Sequence, residues 1–136
     1  MSSLIQAKDL CVSRQGKNIL ENVFINIKEK DFITIIGPNG AGKSVLLECL
    51  MGTFMLDSGE IIKKNNLSIG YIPQNFNPDN SMPISVRRFL MLKKKFTLEE
   101  LHNVSEETNI SEILSKNLAN LSGGELQKVL LARSLL

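Results

Sequence analysis

Apolar and polar positions alternate over the first part of the chain. Leu4, Ile5, Ala7, Leu10 and Val12 stand among polar neighbours and predict a strand over residues 4–12. Gln15-Gly16-Lys17-Asn18 predicts a turn, and Val23, Ile25 and Ile27 alternate into a second, half-buried strand over 23–27. Glu29-Lys30-Asp31 turns the chain again. The pattern then changes. Residues 32–36 form a continuous run of β-branched and aromatic side chains, which predicts a strand buried on both faces. After a glycine-rich stretch over 37–42, a helix is expected over 43–51, with Val45, Leu46, Leu47, Leu50 and Met51 on one buried stripe and Gly52 as its stop.

Beyond Asp57-Ser58-Gly59, read as a turn, strands are expected over 60–63 and 67–72, separated by Lys64-Asn65-Asn66 and ended by Pro73. The next stretch, 75–83, is a loop rich in Asn, Asp and Pro. From Ser85 the texture is helical: 85–93, 97–105 and a shorter piece near 110–114, with Thr97 and Glu100 spaced as a capping box. The last segment, 122–136, predicts a helix with Leu126, Val129, Leu130 and Leu135 inward. It stops within an apolar stripe, so the sequence is expected to be a fragment of a longer protein.

Composition changes this picture little. The chain has 136 residues, 43% hydrophobic and 22% charged, which suits one globular domain with a real core. Sixteen basic and 14 acidic residues leave a net charge of +2, too small and too dispersed for a dedicated nucleic-acid binder. The run Lys93-Lys94-Lys95 is expected to be a solvated helix end. Cys11 and Cys49 lie in apolar stretches and are expected as buried free thiols, consistent with a reducing compartment. His102 alone cannot make a transition-metal site and is expected on the surface. No apolar run approaches the roughly 20 residues of a membrane span, so direct membrane insertion is not expected.

The first chemistry-bearing motif is Gly37-Pro38-Asn39-Gly40-Ala41-Gly42-Lys43-Ser44, which satisfies GxxxxGK(S/T) at every fixed position between a predicted strand and a predicted helix. Glycines let the backbone wrap closely enough for several N–H groups to face one phosphate, and the helix N-terminus adds partial positive charge. Lys43 is placed for the β- and γ-phosphates of ATP, and Ser44 offers a hydroxyl to Mg²⁺. The second motif is Leu121-Ser122-Gly123-Gly124-Glu125. Taken alone it is a capped helix start, with Ser122 as N-cap and Glu125 completing a capping box.

Taken with the phosphate loop, LSGGE resembles the signature sequence of ABC ATPases, and Gln127 and Leu131-Ala132-Arg133 resemble the family's residues just after the signature. Tyr71-Ile72-Pro73-Gln74 between the motifs resembles the family's Q-loop, and the three occur in the family's order. The resemblance covers the whole chain. It implies an α/β fold: a P-loop NTPase core with a parallel sheet, an antiparallel β subdomain and a helical subdomain. The chain would be one partial ABC ATPase domain, truncated at the C-terminus: 1–75 the β subdomain and P-loop core, 76–121 the helical subdomain and 122–136 the signature helix. It also implies ATP and Mg²⁺ as cofactors and a second copy packed head to tail. There Ser122, Gly123, Gly124 and Glu125 would face the ATP held by the other copy's loop. Gln74 would reach the Mg²⁺ and the attacking water, and integral membrane permease subunits would be the other partners. IGYIPQ with MPISVRRFLMLKK after it is similar to the ATP-binding subunits of bacterial zinc importers, which implies metal-ion import from the cytoplasmic face of the inner membrane. Manganese and iron-chelate importers have related subunits, and a soluble ABC ATPase serving translation or DNA repair is the alternative outside transport.

Three positions depart from the family's commonest pattern; one is Glu125, which replaces the commoner glutamine of the signature, a substitution the family tolerates. Arg14 stands where an aromatic residue usually stacks on adenine, and a guanidinium can also stack on a base. Val45 comes after Ser44 where many relatives carry threonine, so one hydroxyl contact to the α-phosphate is expected to be lost. The family's Mg²⁺-binding aspartate, catalytic glutamate and switch histidine lie downstream of the signature. Residues 1–136 alone are therefore expected to hydrolyse ATP poorly. The partner strands of 32–36 are expected past residue 136.

Overall fold

The structure, a computed structural model, describes residues 2–78, 83–92 and 96–136. The lysine run 93–95, the end of the helix expected over 85–93 and part of the loop expected over 75–83 lie outside the described residues. The chain divides into two compact units, Met1–Ser68 and Ile69–Leu136.

In the first unit, strands β1 (Ser3–Arg14) and β2 (Lys17–Lys28) form an antiparallel hairpin, and β3 (Ser58–Lys63) pairs with the other edge of β1. The sheet order is β2-β1-β3. Arg14 pairs with Lys17 across a two-residue loop in which Gln15 and Gly16 both have positive φ, 50° and 74°. This is the primed turn whose twist matches that of the strands.

The buried residues of β1 are Ile5, Ala7, Leu10 and Val12, a spacing of two, three and two. A strict two-residue period from Ile5 would turn Asp9 inward. Asp9 instead adopts φ 49°, and the register with both neighbouring strands shifts across it. The bulge adds one residue and returns the apolar set to the inner face. Gly59 passes directly over this bulge, at φ 99°; a Cβ there would lie 2.5 Å from the carbonyl oxygen of Asp9.

Helix α1 (Lys43–Met51) buries Leu46, Cys49 and Leu50, which share one core with Ile5, Ala7, Leu10, Val12 and Leu20 of the sheet. Gly52 closes the helix at φ 85°, its N–H reaching the carbonyls of Glu48 and Cys49. The expected stripe is partly corrected: Leu47 points outward, at 45% exposure, and Cys49 takes its place in the core.

Two strand expectations are not met. Residues 32–36 form no strand, with Phe32 96% and Ile36 89% exposed, and only Ile35 packs against the core. A strand buried on both faces needs hydrogen-bonded neighbours, and among the described residues no strand pairs with this run. For the same reason the parallel sheet expected around the loop is not formed among the described residues, where the sheet is wholly antiparallel. Residues 67–72 likewise form no strand; Leu67 packs on the first core and Ile72 on the second.

The second unit contains α2 (Val86–Met91), α3 (Leu98–Glu107), single 3₁₀ turns at Ser111–Ile113 and Leu118–Asn120, and α4 (Gly123–Leu135). Ser85, Thr97 and Ser122 cap the three helices through their side chains, and Thr97 and Ser122 complete reciprocal boxes with Glu100 and Glu125. Val86, Phe89, Leu90, Leu101, Ile110, Val129, Leu130 and Ala132 are among its buried core. Leu135, expected inward, is 52% exposed, and Ala132 occupies the buried face instead.

Candidate phosphate-binding site

The loop before α1 is built by two features of the sequence. Gly40 and Gly42 take φ 83° and 81°, a left-handed conformation that bends the chain back on itself. At Gly42 the back of the loop is pressed on β2: a Cβ would lie 2.8 Å from the carbonyl oxygen of Ile19. The Ala41 N–H closes the turn on the Pro38 carbonyl at 3.3 Å. The Lys43 ammonium donates to the carbonyl oxygens of Gly37 at 2.9 Å and Pro38 at 2.7 Å, so the charge lies across the loop itself.

The first intrahelical bond of α1 runs from the Leu46 N–H to the Gly42 carbonyl at 2.8 Å. The amides of Lys43, Ser44 and Val45 therefore have no acceptor within the helix. Where α2, α3 and α4 spend a serine or threonine oxygen on such amides, the N-cap of α1 is Gly42 and supplies no side chain. Nor does its first turn hold an acidic residue, whereas α3 and α4 both do. Uncapped amides, the helix dipole and one ammonium thus add with the same sign over one exposed loop, an arrangement that favours a polyanion. Ser44 is exposed beside it, and Val45 is half-buried against the core. These groups fit a triphosphate chain. Among the described residues no three His, Cys, Asp or Glu side chains cluster, so a divalent cation here would rely on phosphate oxygens and the Ser44 hydroxyl.

The other predicted residues are spread over both units. Arg14 is exposed at the hairpin tip of the first unit, its guanidinium carbon 4.5 Å from the centroid of the Phe54 ring. Gln74 is exposed just after Pro73 in the second unit. In the same unit Ser122, Gly123 and Gly124 are exposed at the start of α4, with nothing within 4 Å of a Cβ placed on either glycine. The Ser122 hydroxyl accepts from the Glu125 N–H at 3.3 Å, and Glu125 accepts from the Ser122 N–H at 2.8 Å. Sequence reasoning missed the third partner, Lys116, whose ammonium lies 2.8 Å from Glu125. Lys116 foremost, then the Ser122 amide, lowers the Glu125 carboxyl to a pKa of about 2. No spacing rule connects positions 116 and 125, because a 3₁₀ turn separates them.

Local sequence marks Asp57 only as part of a turn. Its carboxylate accepts from the Ser13 hydroxyl at 2.7 Å and the Ser13 N–H at 2.6 Å, which lowers its pKa. Cys49 is buried, and that burial pushes its thiol up. Cys11, expected buried, is half-exposed; both thiols are free. His102 is exposed.

Comparison with known proteins bears on the family and the fold. The zinc import ATP-binding protein ZnuC of Magnetococcus marinus is 44% identical over 133 residues, covering 98% of this chain and 51% of its own length. That of Haemophilus influenzae is 45% identical over 133 residues, covering 98% and 50%. The chain spans about half the length of the curated relatives it matches. Among solved structures, cbiO1 from Clostridium perfringens, part of the ABC transporter complex cbiONQ, superposes with a TM-score of 0.82 at 25% identity, over 99% of this chain and 62% of its own. MJ1267, an ATP-binding cassette of an ABC transporter, superposes with a TM-score of 0.79 at 21% identity, over 99% and 65%. The fold is thus that of an α/β P-loop ATPase with an antiparallel sheet and a helical subdomain. The family model described as ABC transporter matches residues 20–136, from the second strand through the phosphate loop to the end of α4, and the chain belongs to that family.

Proposed function

We propose that this chain is the nucleotide-binding front part of an ABC transporter ATPase that energises import of a metal ion, zinc, across the bacterial inner membrane. One observation carries the nucleotide reading: α1 starts without a side-chain cap or an acidic residue, under the Lys43 ammonium. The metal reading is supported by the relatives, which at 44% and 45% identity are named for zinc import.

In this reading Gly37, Pro38, Asn39, Gly40, Ala41 and Gly42 shape the cradle, and the amides of Lys43, Ser44 and Val45 bind phosphate oxygens. Lys43 exchanges the carbonyls of Gly37 and Pro38 for the β- and γ-phosphates of ATP. The Ser44 hydroxyl would hold Mg²⁺, which would neutralise phosphate charge, and Gln74 keeps the role that the family resemblance implies for it. Ser122, Gly123, Gly124 and Glu125 close on the nucleotide of a second, head-to-tail copy; the exposed glycines leave room for a phosphate to approach. Hydrolysis belongs to the intact protein. Residues 76–121 form the helical subdomain that couples closure to the permease subunits. No helix among the described residues is long and apolar enough to cross a membrane. The subunit is assigned peripherally, to the cytoplasmic face.

Titration calorimetry tests the central step. MgATP at millimolar concentration is expected to give saturable binding heat that Lys43→Ala reduces at least tenfold in affinity, the scale of a charge-assisted phosphate contact of about 1.5–3 kcal/mol. Equal binding by the two proteins would remove the phosphate-loop role.

A further inference from the structure

The start of α4 carries a charge of the wrong sign for the role assigned to it. Glu125 stands in the first turn, and its carboxyl, with a pKa of about 2, is ionised at neutral pH. In the head-to-tail reading the terminal phosphates of a second copy's nucleotide approach this same turn. Gly123 and Gly124 leave space for them, with nothing within 4 Å of a Cβ placed on either. The first intrahelical bond runs from the Leu126 N–H to the Ser122 carbonyl at 2.9 Å, and the Glu125 N–H goes to the Ser122 hydroxyl. The amides of Gly123 and Gly124 therefore have no acceptor within the helix. A helix start offers roughly half a positive charge. One carboxylate outweighs it, so Glu125 alone would make the turn repel phosphate.

Lys116 reverses that sign. Its ammonium lies 2.8 Å from Oε1 of Glu125, while Oε2 accepts from the Ser122 N–H at 2.8 Å. The lysine is fixed from behind: its N–H donates to the Ile113 carbonyl and its carbonyl accepts from the Val86 N–H, both at 3.0 Å. Its side chain is 50% exposed, where an ion pair adds only modestly to stability. Glu106 and Glu112 line the same cavity as Glu125 and add to the negative field that Lys116 opposes, as does Lys128 on that cavity's wall. Helix α1 reaches a positive start by omission, with no acidic residue in its first turn. Helix α4 reaches it by compensation.

We propose that Lys116 is a positioning residue of the phosphate site formed between two copies of this protein: by neutralising Glu125 it keeps the two open glycine amides attractive to the terminal phosphate of the other copy's nucleotide. This rests on the head-to-tail reading of the signature and adds to it a residue outside every motif.

Sedimentation of the intact protein with Mg²⁺ and a non-hydrolysable ATP analogue measures the pairing of two copies. Lys116→Met is expected to weaken pairing about threefold at each of two equivalent sites, and so about tenfold per dimer, the scale of one charge at a helix start. Lys116→Arg keeps the charge and is expected to pair as the parent does. Glu125→Gln keeps the capping box but removes the carboxylate, and is expected to tighten pairing, because Lys116 is then unopposed. Lys116→Met combined with Glu125→Gln is expected to regain parental pairing. A purely structural ion pair predicts the opposite: a loss from either side and no rescue. Lys64→Met breaks an exposed pair of equal length in the first unit and is expected to change nothing. Calorimetric affinity of the monomers for MgATP is expected to match the parent throughout. Weaker pairing in Glu125→Gln, no rescue in the double variant, or an equal fall in Lys64→Met would overturn the role of Lys116. A parent that binds nucleotide but does not pair would overturn the head-to-tail reading, and the role of Lys116 with it. A parent that binds no nucleotide would overturn the phosphate-loop reading as well.

Discussion

Gly59 sits where no side chain fits. Its φ of 99° is strained for any L-residue, and a Cβ would meet the backbone of Asp9 and Lys8 at 2.5–2.8 Å. Backbone cannot swing aside as a flexible side chain can. Gly59→Ala is expected to destabilise the first unit by about 3 kcal/mol or more, read as a fall in the urea midpoint. Gly40, with nothing within 4 Å of an added Cβ, answers only to conformation. Gly40→Ala should cost less, about 1–2 kcal/mol. The ranking is the test: equal losses would mean that the bulge at Asp9 yields. Sequence marks both positions as glycine in a turn, and only the fold separates them.

At the scale of elements, helix starts were the most legible feature. Capping depends on residues three apart, so Thr97 with Glu100 and Ser122 with Glu125 could be read directly and are formed as expected. Local spacing could not supply Lys116 against Glu125. Its consequence is a pH dependence. The Glu125 carboxyl titrates near 2 when folded, against an ordinary value of 4.5, so its ionised form stabilises the folded state above about pH 4.5. That contribution is lost as pH falls from about 4.5 through 2. Lys116→Met is expected to flatten this part of the acid limb of stability, tracked by the urea midpoint at successive pH values. High salt should act in the same direction, because the pair is exposed and screened. An acid limb identical in the variant and the parent would rule out the Lys116 pairing as its cause. The strand expectations over 32–36 and 67–72 failed for the opposite reason. A helix satisfies its own backbone, whereas a strand exists only through its neighbours.

At the scale of the molecule, apolarity and burial part company. Phe32 and Leu10 are both large and apolar, yet Phe32 is 96% exposed and Leu10 is 0%. Leu10→Ala is expected to cost about 2–5 kcal/mol through a cavity under the sheet, and Phe32→Ser no more than about 0.5 kcal/mol, both measured by denaturant unfolding. A Phe32→Ser loss matching that of Leu10→Ala would mean that the 32–36 run is buried in solution. The candidate site obeys the same division. The phosphate loop could be read residue by residue because its chemistry is contiguous: the turn, the uncapped helix start and the lysine occupy eight successive positions. The Arg14–Phe54 contact, outside the loop, could not, because its two residues lie 40 positions apart (54 − 14).

The sequence by itself therefore determined whatever physics acts over a few residues: the hairpin turn, the capped helices, the uncapped start of α1 and the charge set over it. The tertiary structure decided the phase of β1 through the bulge at Asp9, the pairing of Lys116 with Glu125, the seat of Phe54 under Arg14 and the exposure of 32–36. These depend on which distant backbones and side chains meet, and that is chosen by the packing of the whole core, not by any window of the chain.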